Sequence, residues 1–544
     1  MPLSETLDLT RAYRRVSMDG RDDAWPDIVG YRDFGRRVDD NLATITARIA
    51  SPGLYRPGRP LGINLPKKGF TLRPGVVPLI SDRIAYQAIA DLLAPHFEAE
   101  PCVYSNQLSD NPDSDRMFKF GVGLWLEFQE RVEELCHTHP FVVETDITAY
   151  FEHIGHDLLL HRLNDLFSEH FDKPTFKACK QLLARLLRGW NKNLRFGIPQ
   201  VNDSSSFFGN LYLDHLDKQM LRRGYSYLRY VDDMRLFAKD EPQARKSLAE
   251  LIVELRGMGL YVGSAKTAIK RSEEVLSELV EGRGRMRAID QELQSRDPDR
   301  MEVASAILGE LFLELVEDPS RFDGREFRFC VNRFKRLHVS GIGGRQHERV
   351  RDEVLARLES MPHSTDVFVD YLSTFPDDAD VQTAILDFID SPWNIYPWQE
   401  MHLLELLVRS NTGPDCLDRT LATARRIARG SGHPACRAKA LILCGKTGDY
   451  ADRRHIRAMY HDEPREDVRR AVVVAIQEMQ QGERNSFYHE AAGDSAAVRS
   501  ITEYVLALNA PAYHYYNPPR GYDVELPYED SDDIEDLTSE DFLY

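Results

Sequence analysis

Three short apolar runs punctuate the first half of the chain: FVVETDITAYF at 141–151, LRYVDDMRLFA at 228–238 and the weaker LYVGSAKTAIK at 260–270. Runs of this length between turn-forming residues read as strands of one sheet. Helical patterns separate them over 156–168, 175–189, 204–222 and 240–258, so this part is α+β with a small, mostly antiparallel sheet. Upstream, LGINLPKKGFTLRPGVVPLI at 61–80 alternates apolar and polar positions around Lys67–Lys68–Gly69 and predicts a hairpin. The stretch that follows predicts a helix ending at Pro95. Ser81 and Asp82 are its capping candidates, and Ile84, Ala88, Ile89 and Leu92 share one face.

Beyond residue 272 the strand signal nearly vanishes and amphipathic helices take over. A repeat recurs at about 30-residue spacing in HPACRAKALILCGK at 433–446, EDVRRAVVVAIQEM at 466–479 and AAVRSITEYVLAL at 496–508. Small apolar residues beside an Arg, at that period, fit stacked helix pairs of HEAT-like type; an ordinary bundle is the other reading. A chain of 544 residues is too long for one core.

Hydrophobic residues make up 42% and no apolar run is long enough to cross a bilayer, which with the lack of a signal-like start predicts a cytoplasmic protein without membrane contact. Seven scattered cysteines with no CxxC argue for reduced buried thiols, and the lone HxxH of His153 and His156 lacks further metal ligands. Net charge is −18, but unevenly spread. Residues 1–271 hold 37 Lys and Arg against 36 Asp and Glu, while the other 273 residues hold 32 against 51. The strand-bearing part is therefore free to present a basic channel to nucleic acid. From Asp523 to Tyr544 there are ten carboxylates and no Lys or Arg, a composition that cannot fold alone. This tail is either solvated disorder or a charge mimic anchored by Phe542, Leu543 and Tyr544.

Adjacent carboxylates inside an apolar run need something to offset them. Asp232 and Asp233 lie at the junction of two strand-like flanks, which is either an ordinary Asp-Asp turn or a site. Asp146 closes the run FVVET on another strand. If the strands are neighbours, Asp146 and Asp232 repel unless cations lie between them. Two Mg²⁺ ions, with Mn²⁺ as the alternative, held ~3.5–4 Å apart would activate a 3′-hydroxyl and stabilise leaving pyrophosphate.

These residues carry a resemblance. Tyr230–Val231–Asp232–Asp233 is similar to the catalytic box of bacterial reverse transcriptases, and Asp146–Ile147–Thr148–Ala149–Tyr150–Phe151 resembles their first aspartate motif. Gly197–Ile198–Pro199–Gln200, with Ser204–Ser205–Ser206 and Gly209–Asn210–Leu211, resembles the motif between. The likeness covers residues 60–271 and implies a right-hand polymerase of fingers, palm and thumb that joins dNTPs into DNA on an RNA template. It implies Asp146, Asp232 and the Ile147 carbonyl as metal ligands, with Asp233 shaping the site. Phe151 would be a gate against the 2′-hydroxyl, or plain core packing. Gln200 would contact template and nucleotide, Lys266 would protonate pyrophosphate, and Tyr230 would belong to the nucleotide side. Arg73 and Lys67 would hold the triphosphate; Lys67 and Lys68 read equally as a solvated turn. Val201 departs from the small residue usual after Pro199–Gln200 and would narrow that path.

The resemblance divides the chain into an N-terminal extension (1–60), fingers and palm (61–271), thumb-like helices (272–340), a helical-repeat domain (341–510) and the acidic tail (511–544). Such a polymerase followed by helical repeats is similar to defence-associated enzymes, including the abortive-infection group. That implies an anti-phage polymerase working with a noncoding RNA, and a homo-oligomer stays open. The alternatives are a template-independent, protein-primed enzyme and a non-catalytic nucleic-acid-binding scaffold. Arg453, Arg454, Arg457, Arg465, Arg469 and Arg470 form the candidate RNA surface of the repeat, or else pair locally. Tyr513, Tyr515 and Tyr516 are candidate priming hydroxyls.

Overall fold

The computed structural model describes residues 2–20, 27–191, 194–200, 202–295, 297–317, 324–430 and 432–514. Val201, Tyr515, Tyr516 and the acidic segment to Tyr544 lie outside the described residues.

The predicted hairpin forms from β1 (Leu61–Pro66) and β2 (Leu72–Val77), paired antiparallel with Leu65 opposite Arg73. Four further strands make one sheet: β3 (Phe141–Asp146), β4 (Ser226–Tyr230), β5 (Asp233–Ala238) and β6 (Ala268–Arg271), in the order β4-β5-β3-β6, every pair antiparallel. The 260–270 run is mostly not strand. Val262 makes a single bridge to Ile147, Ser264–Lys266 is one tight helical turn, and only the end of the run joins β6.

Strand alternation splits this sheet into two faces. Val143, Tyr227, Met234 and Leu236 join the large core shared with residues 3–55 and the helices Ile80–Leu93, Lys173–Trp190 and Asp203–Arg222. Val142, Leu228, Tyr230 and Phe237 form a smaller cluster with Leu124, Phe128 and Val132 of the helix Gly121–Cys136 and Val275 of the helix Ser272–Leu293. By register, Asp146, Asp233, Glu144 and Arg235 belong to this second face.

The helix Ile80–Leu93 differs from its prediction in two ways. Leu79 stands at its N-cap with no side-chain cap, and burial runs nearly all round it instead of along one stripe. Asp82 is not a cap, because its carboxylate is spent elsewhere. It accepts from the Tyr55 hydroxyl at 2.6 Å, the Gly58 N–H at 2.7 Å and Arg48 Nη2 at 3.1 Å, fastening the N-terminal extension to this helix.

The second half is a stack of helix pairs. One layer contains Thr365–Leu372, Pro397–Arg409, Pro434–Thr447, Glu466–Ala475 and Ala496–Leu506, each packed on the next. The period seen in three segments therefore reaches back through two more. The other layer includes Ala379–Asp390, Pro414–Arg429, Tyr450–Ala458 and Gln481–Ala491. Among the described residues no helix is long and apolar enough to cross a membrane. All seven cysteines are buried and none is in a disulfide.

The stack closes back on the first half. The helix Pro397–Arg409 packs on β1, His433 Nε2 bonds the Gly62 carbonyl at 2.7 Å, and the helix Ala496–Leu506 packs on Arg32–Arg36. Arg470 is the charged rivet. Its Nη1 donates to Asp27 Oδ1 at 2.7 Å and its Nη2 to Asp33 Oδ2 at 2.9 Å, with both carboxylates buried. Removing one member of such a buried set strands the others. Arg470→Met is expected to lower unfolding free energy by about 3–5 kcal/mol, measured by urea denaturation; a loss below ~1 kcal/mol would mean the contact is open in solution.

Candidate active site

The turn from β4 to β5 puts Val231 at φ 54°, in the left-handed region. For a β-branched residue that costs about 1–3 kcal/mol and persists only where neighbours impose it. Ser105 Oγ accepts the Val231 N–H at 2.7 Å, and Arg229 Nη1 donates to the Val231 carbonyl at 2.9 Å. Arg229 is itself fixed: Nε and Nη2 reach the two oxygens of Asp217 at 2.9 and 2.7 Å, and Nη1 reaches Asn210 Oδ1 at 3.0 Å. Arg229 and Asp217 are each 1% exposed. Asn210 also donates to the Ser105 carbonyl at 3.0 Å, joining both supports of the turn.

The carboxylates meet at this edge. Asp146 pairs opposite Asp233, and the Ile147 N–H donates to the Asp232 carbonyl at 3.2 Å. Beyond Ile147 the chain reverses at Ala149, φ 49°, into the short helix Tyr150–His153. The loop before β6 closes the other side. Gly263 N–H donates to the Asp146 carbonyl at 2.9 Å, and a Cβ on Gly263 would fall 2.3 Å from Asp146 Oδ1, so a larger residue there would push the carboxylate aside.

Electrostatics follow from that crowding. Burial, with Asp146 and Asp233 adding like charge and Arg73 opposing, pushes the Asp232 carboxyl up to about 6. Burial also raises Asp233, whose partner Arg235 pulls the other way. Arg235 bridges Asp233 Oδ2 at 3.3 Å and Glu144 Oε1 at 2.6 Å, and Lys270 holds Glu144 Oε2 at 2.9 Å. Lys266 Nζ donates to Asp146 Oδ2 at 2.6 Å, while Asp146 Oδ1 is buried with no hydrogen-bond partner.

Among the described residues no three His, Cys, Asp or Glu side chains form a cation cage by themselves. The expected three-carboxylate set resolves into Asp146 and Asp232, with Asp233 drawn toward Arg235. Mg²⁺ commonly takes only one or two carboxylates and completes its shell with water and substrate phosphate. The orphaned Asp146 oxygen and the crowded Asp232 fit that demand.

Cations face the carboxylates from the hairpin. Burial lowers the Lys67 ammonium, and next to it Arg73 adds repulsion while Asp232 attracts it. Lys67, Arg73, Lys266 and Asp232 are thus neighbours in one site. Lys68 is exposed.

Other expected contacts fall differently. Tyr230 shares its register position with Asp233, but its ring packs on Trp125 and Phe128 and its hydroxyl donates to the Gly121 carbonyl at 3.1 Å. That corrects the nucleotide-side reading, because a helix from elsewhere in the chain claims the ring. Gln200 is 7% exposed, leaving little of its amide for a strand of nucleic acid. Phe151 is half-buried, tilted on Tyr150 at 5.1 Å and close to Gly209. His156 bonds the Gly197 carbonyl at 2.6 Å and His153 the Ala149 carbonyl at 2.9 Å, so both pack locally.

The basic cluster of the repeat shows the local pairing that was its second reading. Arg453 pairs with Glu478, Arg454 and Arg457 with Glu483, Arg465 with Asp467, Arg469 with Asp494, and Arg470 with Asp27 and Asp33. Tyr513 is buried, with its hydroxyl on Glu478 at 2.7 Å. Sequence reasoning passed over Arg229. The signal was present: an Arg between Leu228 and Tyr230 in a strand bound for the core must carry a buried partner.

Residues 65–285 match the family model described as reverse transcriptase (RNA-dependent DNA polymerase). The fold and this match define a nucleotidyltransferase with a reverse-transcriptase domain. More particularly, the activity of that domain is RNA-directed DNA polymerisation. No curated protein matches the chain. Similar solved structures include telomerase from Candida albicans in complex with a fragment of telomeric RNA (10% identity over 83% of this chain and 67% of that one, TM-score 0.27). Others are apo telomerase from Candida tropicalis (10%, 84% and 70%, 0.30) and a Cas6-RT-Cas1–Cas2 complex (12%, 95% and 68%, 0.25).

A carboxyl raised in the folded state from an ordinary 3.8 to about 6 favours folding at low pH and loses that contribution as pH rises through 6. Asp232→Asn is therefore expected to stabilise the protein in EDTA by roughly 1–3 kcal/mol at pH 7 and by clearly less at pH 4.5. Urea titrations at the two pH values measure it.

Proposed function

We propose that the chain is a DNA-synthesising reverse transcriptase of the defence-associated type, in which Asp146, Asp232 and the Ile147 carbonyl hold the divalent metal and Asp233 shapes their edge. The observation that carries this reading is the register of β3 on β5, which opposes Asp146 and Asp233 beside the strained Val231–Asp232 turn. A bound Mg²⁺ pair supplies activation of a 3′-hydroxyl and charge neutralisation on the phosphates.

The remaining roles belong to the chain's own groups. Arg73 and Lys67, on the hairpin, hold phosphate oxygens of the incoming dNTP. Lys266 is 72% exposed and rests on Asp146. With substrate present its ammonium turns to the β-phosphate and donates a proton as the α–β phosphoanhydride bond breaks. Phe151 closes the sugar side and Gln200 steadies the loop beneath the template. Arg229 is a positioning residue: it keeps the Asp232 carboxylate aimed at the edge shared with Asp146.

On this reading 61–271 is the polymerase unit, 272–340 its thumb-like helices and 341–510 the repeat, which carries an associated noncoding RNA. Support for the defence setting is the joining of a polymerase to a helical stack that folds back and clasps it. The test is incubation of purified protein with Mg²⁺, dNTPs and a primed RNA. Asp146→Asn and Asp232→Asn are expected to reduce incorporation by more than 10³-fold with circular dichroism unchanged. Lys266→Ala should lower kcat by about 10²-fold with little effect on KM. Product that ignores the RNA sequence would favour the template-independent, protein-primed reading, and no product from wild type would favour the scaffold. Loss of phage protection in cells carrying Asp232→Asn, with protein level unchanged, tests the biological role.

A further inference from the structure

Lys266 and Arg235 both touch the carboxylate edge, and they are held differently. Lys266 is 72% exposed and donates to Asp146 Oδ2, so a substrate can draw it away. Arg235 is 19% exposed and its two arms are divided. Nη1 lies 2.6 Å from Glu144 Oε1, while Nη2 donates to Asp233 Oδ2 at 3.3 Å. The guanidinium is a rigid fork, so fixing one arm aims the other.

The register shows what fixes it. Glu144 stands opposite Arg235, two residues along from the pair Asp146 and Asp233 and on the same face of the sheet. Its second oxygen takes Lys270 Nζ at 2.9 Å, and that ammonium donates to both oxygens of Glu278 at 2.8 Å. Glu278 belongs to the helix Ser272–Leu293, whose Val275 and Leu279 pack with Val142 and Phe237 and seat the helix over this end of the sheet. Asp233, Arg235, Glu144, Lys270 and Glu278 thus alternate in sign from the edge to the helix. Glu144, in the middle, is 14% exposed. Arg235 is held from behind, as Lys266 is not.

Metal chemistry supplies a reason for such a pin. Asp233 faces Asp146 across the ladder, and a carboxylate released there would turn to a cation between them. Mg²⁺ is commonly held by one or two carboxylates, with water and substrate phosphate filling the other positions. A third carboxylate would bind the ion more tightly and fill positions that the phosphates need. An ordinary cross-strand ion pair would keep both guanidinium arms on Glu144. Here one arm is spent on a carboxylate of the site.

We propose that Arg235 is a positioning residue that sets how many carboxylates the site offers a divalent cation. It withholds Asp233, and Glu144 in turn withholds Arg235 from Asp146 and Asp232. This rests on the reading of Asp146 and Asp232 as the metal ligands. The two residues act in opposite senses. Without Arg235, Asp233 joins the other carboxylates; without the Glu144 charge, the guanidinium has the site's carboxylates as its nearest anions and competes with the cation.

The test is Mn²⁺ binding to the metal-stripped full chain without nucleotide, read as loss of the free-ion electron paramagnetic resonance signal, alongside primer extension. Arg235→Met is expected to bind Mn²⁺ about tenfold more tightly than wild type, while kcat falls and the KM for dNTP rises. Glu144→Gln should bind it about tenfold more weakly, with half-maximal incorporation moved to higher Mg²⁺. A site merely loosened by these substitutions would lose affinity in both. Two backgrounds separate withholding from simple charge. In Asp233→Asn, adding Arg235→Met should give no gain, and in Arg235→Met, adding Glu144→Gln should give no loss. Arg235→Met binding no tighter than wild type, Glu144→Gln binding no weaker, or the full change persisting in either background overturns the proposal. Glu144→Gln is isosteric and keeps the test decisive if Arg235→Met does not fold. Asp232→Asn separates the two readings: Mn²⁺ binding that it leaves intact, or no binding by wild type, overturns the metal-site assignment together with the proposal, whereas binding that it abolishes leaves the Arg235 and Glu144 variants to decide the proposal alone.

Discussion

The edge at which Asp146 meets the Asp232–Asp233 turn rests on one buried ion pair. Arg229 and Asp217 are both sealed from solvent, and their bidentate contact is what allows the guanidinium to spend its remaining donors on Asn210 and the Val231 carbonyl. A strained turn of a β-branched residue does not hold itself. With Arg229 fixed below and Ser105 beside it, the Val231–Asp232 turn has one conformation, and the Asp232 carboxyl is presented where Asp146 already lies. The pair contributes little net stability by its own attraction, since desolvation offsets most of the Coulomb gain. What it provides is direction.

Around that edge the charges are balanced in a way that suits an enzyme waiting for substrate. Lys266 rests on Asp146, Arg235 shares Asp233 with Glu144, and Lys270 closes the row. These contacts relieve some of the repulsion among the carboxylates but leave Asp232 burdened and one Asp146 oxygen unmatched. A site with residual unfavourable charge binds cations strongly for the same reason that it costs stability without them.

The second half is tied to the first at its far end as well as at the chain junction. Arg470 with Asp27 and Asp33, Asn41 with Ser500, and His433 with Gly62 bring residues more than 350 positions apart into contact. The repeat therefore constrains the hairpin that carries Lys67 and Arg73, and the two halves share a seam instead of a flexible tether. Many of its arginines pair with neighbouring acids along the stack, some of them, such as Arg454 and Arg426, while still exposed to solvent.

Much of the architecture was legible in the sequence because it depends on local pattern: the hairpin at 61–80, the strands within 141–151 and 228–238 with the helices between them, and the 30-residue period beyond. The convergence of Asp146 with Asp232–Asp233 was legible for a related reason, since carboxylates ending apolar runs can be tolerated only together. Features set by partners distant in the chain were not. Tyr230 looked like a site residue until the helix Gly121–Cys136 was placed over it, Asp82 looked like a cap until Tyr55 and Gly58 were seen to claim it, and six arginines looked basic until their acids were found. Sequence alone determined which segments become strands and helices, through side-chain periodicity. Which polar groups are spent on one another and which remain for a ligand was decided only by tertiary packing, because desolvation and ion pairing act between atoms that the chain order leaves far apart.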